Sequence, residues 1–135
     1  INNNKIESSK VFDSDVQTVK VLIADDDISN QKILKSLIVG LGFEADVATN
    51  GKDALALAMK NQYSHILMAV KPDMDGIESA QAIRGQDDQA KASVRMIALT
   101  ADNSEDFKEK CIRAGMNELV QKPVSLAILK EILER

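Results

Sequence analysis

One cysteine, one histidine, two prolines and no tryptophan stand in this chain of 135 residues. The lone thiol, Cys111, cannot close an internal disulfide, which fits a reducing compartment. No apolar run approaches bilayer length and the amino terminus lacks the apolar core of a signal peptide, so no membrane contact is expected and the cytoplasm is the expected location. Basic residues are fewer than acidic ones, 17 against 21, and the net charge of -4 argues against nucleic-acid binding by this domain. What is there, 44% hydrophobic and 28% charged, has the length and composition of one ordinary soluble domain.

Residues 1–18 are rich in Asn, Ser, Lys and Asp without apolar periodicity and read as a polar linker or tail; the ordered domain is expected over 19–135. Val19 to Ala24 is a β-branched run that stops at Asp25, Asp26 and Asp27. Ile33, Leu34, Leu37, Ile38 and Leu41 then recur at helical spacing, with Ser29 or Asn30 placed to cap the helix and Gly42 to end it. Phe43 to Thr49 reads as a second strand, Asn50-Gly51 as a turn, and Ala54, Leu55, Ala58 and Met59 mark a second helix.

Ile66 to Val70 is apolar throughout, as a strand buried on both faces must be, and Lys71-Pro72 breaks it. A helix carrying Ile77, Ala80 and Ile83 inward runs from there to Gly85. Gln86 to Ser93 reads as a loop and Val94 to Leu99 as a fourth strand. Ser104 caps the helix of Phe107, Cys111 and Ala114, and Gly115 is its exit. Leu119 to Gln121 is a short fifth strand, and a last helix leaves a Ser125 cap with Leu126, Leu129, Ile132 and Leu133 inward. The methionines, Met59, Met68, Met74, Met96 and Met116, read as core filler. Five successive strand–helix units imply an α/β fold, a parallel sheet covered on both faces with right-handed crossovers.

Functional groups of such a sheet gather at the carboxyl ends of its strands. Those ends offer Asp25 and Asp26, Thr100 and Lys122. Carboxylates suit a hard cation such as magnesium, while hydroxyl and ammonium groups suit phosphoryl oxygens. The third strand ends instead on Ala69, between Met68 and Val70, which supplies no nucleophile, ligand or proton. His65 reads as a strand-entry residue beside the core and Cys111 as a buried helical residue; neither reads as a reactive group.

With VLIADDD, ATNGKDAL, MDGIESAQAIR, IALTAD and the run from Ala114-Gly115 to Lys122-Pro123, residues 19–135 resemble the receiver domain of two-component response regulators, a module also found inside hybrid sensor histidine kinases. The resemblance implies a flavodoxin-like, doubly wound five-stranded parallel sheet in the order 2-1-3-4-5 with helices on both faces. It also implies that Asp25 and Asp26 match the pair that holds magnesium and that Thr100 matches the hydroxyl that shifts to meet the phosphoryl group. Lys122 matches the lysine that pairs with acceptor and phosphate, and the peptide bond before Pro123 is expected cis. The chain departs from the pattern in three places. Ala69 takes the position of the phosphoacceptor aspartate. Pro72 follows it by three residues where the family has four, so Lys71, whose carbonyl would face the metal, is held extended by the proline after it. Leu119 stands where the family has a rotating Tyr or Phe.

These departures imply a degenerate receiver, a protein-interaction or regulatory module without aspartate phosphorylation, not itself an enzyme, with weak or vacant magnesium binding at Asp25 and Asp26. Asp73, directly after Pro72, and Asp75, in the Met-Asp-Gly turn, are not expected to take over as acceptor. The expected partners are a histidine kinase, neighbouring domains of the same protein, or a second copy bound through the face of the fourth helix, fifth strand and fifth helix. The alternative is a normal magnesium-dependent phosphoacceptor receiver whose acceptor Asp was mutated to Ala69. The shortened loop and Leu119 favour the first reading, because silencing a site takes only one change. A third reading, a small anionic ligand held by Lys71 and Lys122, is left open by the residues. The polar front segment is expected of a domain within a longer protein, such as a hybrid sensor kinase anchored at the inner membrane.

Overall fold

Strand β3 (His65–Ala69) is buried at every residue, and the rest of the sheet is laid out around it. The computed structural model of the chain describes residues 20–70 and 76–134. The expected tail over 1–18 and the loop from Lys71 to Asp75, with Pro72, Asp73 and Met74, lie outside the described residues. Strands β1 (Lys20–Ala24), β2 (Glu44–Ala48), β4 (Arg95–Thr100) and β5 (Glu118–Gln121) join β3 in one parallel sheet, in the order β2-β1-β3-β4-β5. This is the doubly wound, flavodoxin-like order that the resemblance implied.

Side chains alternate across the pleat, so each strand feeds two cores. Val21, Ile23, Leu67, Ile97 and Leu99 face one side, where helix α1 (Ile28–Gly40) adds Leu34 and Ile38 and helix α6 (Leu126–Glu134) adds Leu129, Ile132 and Leu133. Leu22, Ile66, Met68, Met96 and Ala98 face the other. There they meet Ala54 and Ala58 of α2 (Gly51–Lys60), Ala80 and Ile83 of α3 (Gly76–Arg84), and Phe107 and Cys111 of α5 (Glu105–Arg113). Cys111 is fully buried and burial pushes its thiol up, as an inert core residue requires.

Three local expectations are corrected. The cap of α1 is Asp27, not Ser29 or Asn30; its carboxylate accepts the main-chain N–H groups of those two residues at 2.8 and 3.2 Å. A carboxylate is a strong N-cap and adds a negative charge at the positive end of the helix dipole. The segment read as a loop holds a short helix, α4 (Gln89–Ala92), capped by Asp88. One turn carries too few apolar positions to show a period. Met68, Met96 and Met116 are core residues, but Met59 is 55% exposed on α2. Ser104 and Ser125 cap their helices as expected, and Gly42 and Gly115 follow α1 and α5 at positive φ.

Candidate functional site

Sheet register decides which side chains meet. Ala24 pairs with Met68 and Ala69 with Leu99; continued by one residue, the same register sets Asp25 beside Ala69 and Thr100 beside Val70. On the far side Gln121 pairs with Thr100, and the Lys122 N–H donates to the Thr100 carbonyl at 2.9 Å. Lys122 therefore leaves the sheet at the same edge, through a cis bond to Pro123. Its ammonium donates to Asp25 Oδ2 at 3.3 Å.

That contact is the electrostatic centre of the edge. The Asp25 side chain is 1% exposed and that of Lys122 24%. A carboxylate so withdrawn from water needs hydrogen-bonding partners. Here Oδ1 accepts the Asp27 N–H at 2.9 Å while Oδ2 takes the ammonium. Asp26, next in the chain, is exposed. Thr100 is buried, and its Oγ1 accepts the Asp102 N–H at 3.0 Å.

Ala69 closes the constellation without adding to its chemistry. The residue is buried, and with Asp25, Asn50, Gly51, Met68 and Gly76 it lines a small space with no room for a water molecule. Gly76 opens α3 against the end of β3, where a Cβ would stand 3.2 Å from Val70 Cγ2. Leu119 is half-buried and packs against the cluster on the Met96 face. Asp25, Ala69, Thr100 and Lys122 are thus brought together, while the Lys71 backbone lies outside the described residues. Sequence reasoning missed Gln31, whose side-chain amide donates to the Asp25 carbonyl and reaches Thr49 Oγ1 at 3.5 Å. Its place in the first turn after an acidic strand end was the only available signal.

A divalent ion fits these residues poorly. Magnesium takes octahedral oxygen ligands, one or two of them carboxylates. The buried carboxylate here already carries an ammonium that an ion would have to displace, and Ala69 supplies no side-chain oxygen. Among the described residues no group of three or more His, Cys, Asp or Glu is placed to hold a metal.

The family model of the response regulator receiver domain matches residues 21–134. The chain belongs to that family. This receiver domain is similar to the sensor histidine kinase RcsC of Escherichia coli strain K12, at 31% identity over 131 residues covering 96% of this chain and 13% of RcsC. The chain spans between 7% and 15% of the length of the curated relatives it matches. Among solved structures it is similar to the receiver domain of sensor histidine kinase PA1611 of Pseudomonas aeruginosa PAO1, which has a magnesium ion coordinated in its active site cleft. That match has a TM-score of 0.79 and 32% identity, and covers 88% of this chain and 97% of that one. It is similar as well to the receiver domain of Ssk1 of Saccharomyces cerevisiae, crystallised with the histidine phosphotransfer signalling protein Ypd1. There the TM-score is 0.77 and the identity 32%, with 86% of each chain covered. No helix of the described residues is long and apolar enough to cross a membrane.

Proposed function

We propose that this receiver domain works in two-component signalling by contact, as a degenerate member without an aspartyl-phosphate switch. In this reading residues 19–135 are the receiver unit and 1–18 a polar linker. The observation that carries it is the residue at the end of β3: a buried alanine stands beside Asp25, at the sheet edge that also carries Thr100 and Lys122. Phosphoryl transfer to a receiver requires a carboxylate nucleophile held in line with the donor. Asp25 is bound to Lys122 and the Asp27 N–H, and Asp26 is exposed.

The electrostatics support the same reading. A second carboxylate beside Asp25 would repel it by about 4 kcal/mol at 4 Å and an effective dielectric near 20, which a divalent ion would have to offset. With Ala69 that repulsion is absent, and among the described residues the Lys122 ammonium pairs with Asp25. Weak magnesium binding and a shape held without metal follow.

The partner is a histidine kinase, a neighbouring domain of the same protein, or a second copy docked on the α5, β5 and α6 face. The similarity to RcsC and to a receiver crystallised with a phosphotransfer protein supports a partner from that signalling class. The test is incubation with acetyl phosphate and magnesium followed by intact mass. The expected spectrum is unchanged, and the gain of one phosphoryl group would overturn the reading. Ala69→Asp separates it from a normal receiver that has lost only its acceptor. If that variant takes up phosphate, the loss was a single substitution; we expect it to stay unlabelled, because the loop after it is one residue short.

A further inference from the structure

A crevice of about 320 Å3 opens next to Asp25, within the size range of small-molecule sites. Helix α1 supplies Ile33 and Leu34, β4 supplies Leu99 and the segment after β5 supplies Val124, with the Asp25 and Lys122 pair among these apolar residues. Ile33 is 57% exposed. Water in such a space is held against hydrocarbon on most sides, so an apolar body gains by replacing it.

The charged residues select the other half of the ligand. Both oxygens of Asp25 already accept hydrogen bonds, and its side chain is 1% exposed, so a cation cannot reach it without displacing Lys122. The ammonium carries three donors and belongs to a side chain that is 24% exposed; among the described residues its hydrogen bond is to Asp25. An anion is therefore the group that can add to the pair as it stands. A phosphate dianion would meet the Asp25 carboxylate 3.3 Å behind that ammonium and the exposed Asp26 beside it, and would leave the hydrocarbon wet. A monoanion with an apolar body meets less like charge and covers Ile33.

The geometry points to a binding site for a small organic monocarboxylate, its hydrocarbon against Ile33, Leu34, Leu99 and Val124 and its carboxylate on the Lys122 ammonium. The site does not depend on whether Ala69 marks a silenced acceptor, since Ala69 does not line it.

Hexanoate, hexanamide, acetate and inorganic phosphate are the probes, titrated into the isotope-labelled chain while main-chain amide shifts are followed by NMR. Hexanoate is expected to move the amides around Ile33 and Val124 and to bind at least about tenfold more tightly than acetate or hexanamide. Ile33→Asp, at an exposed position that leaves the fold intact, is expected to weaken hexanoate about tenfold or more. Lys122→Gln is expected to remove the preference for hexanoate over hexanamide. It strips Asp25 of its partner, so its amide spectrum is checked first, and if it does not fold, Ile33→Asp and the probe series decide. Equal binding of hexanamide, tighter binding of phosphate, or no shifts at about 10 mM of any probe would overturn the proposal.

Discussion

Two buried polar residues of this receiver domain are partnered differently. At the carboxyl edge of the sheet, Asp25 accepts from the Lys122 ammonium and the Asp27 N–H. At the opposite edge His65, the first residue of β3, is 6% exposed, with Nδ1 2.8 Å from Ser64 Oγ and Nε2 buried without a partner among the described residues. Burial holds its imidazole below the ordinary value of 6.5; the Ile132 backbone pulls upward without closing a bond to Nε2, Arg95 pushes down and Glu118 pulls up. Between the folded value and 6.5 the unfolded chain binds more protons than the native one, so stability rises with pH across that window. The contribution is complete above 6.5 and is lost as pH falls toward the folded value. The melting temperature is expected to fall between about pH 7 and about pH 5, and His65→Leu to flatten that slope. An unchanged slope in the variant would assign the acid sensitivity to other groups. That His65 sits at the core was legible from its place before an apolar strand; its unpaired Nε2 was not, since no sequence pattern reports what surrounds a ring nitrogen.

Among the elements, α3 is tied to its neighbours by one side chain. Arg84, its last residue, donates from Nε to the Gly115 carbonyl at 2.7 Å and from Nη2 to Asn117 Oδ1 at 2.9 Å. Its Nη1 reaches the carbonyls of Ala92, at 2.8 Å, and Val94. The guanidinium thus joins the end of α3, the end of α4, the entry to β4 and the turn between α5 and β5. Gly115 is required there twice over: its φ is +105°, and a Cβ would lie 2.6 Å from Arg84 Cγ. Arg84→Ala is expected to cost about 3 kcal/mol in urea denaturation, because half-buried carbonyls lose charged donors. Arg84→Lys should recover less than half, since one ammonium cannot span that fork of acceptors. A loss below about 1 kcal/mol would mean that water replaces the guanidinium. Helix periods were readable along the chain for α1, α2, α3, α5 and α6, because each buries apolar residues at fixed spacing, and so were the Ser104 and Ser125 caps of α5 and α6. Helix α4 was not, and neither was the Arg84 clamp, which joins positions about thirty residues apart that share no local pattern.

For the whole molecule, the internal pairing of Asp25 with Lys122 predicts a fold that does not wait for a cation. Magnesium at or below its dissociation constant stabilises by at most about 0.4 kcal/mol, roughly 2 °C in melting temperature for a domain of this size. Low millimolar magnesium is expected to stay within that limit, and a clearly larger shift in a thermal melt would restore the case for a working metal site. The order of the five strand–helix units, the both-sides burial of β3 and the absence of a nucleophile at Ala69 were determined by the sequence alone, because hydrophobic periodicity and side-chain chemistry are properties of adjacent residues. Only the tertiary structure decided that Asp27 caps α1 while Asp25 turns inward to Lys122, and that Ile33, Leu99 and Val124 enclose one crevice. Those contacts join residues far apart in the chain, and their geometry is set by sheet register and helix packing, which no local spacing encodes.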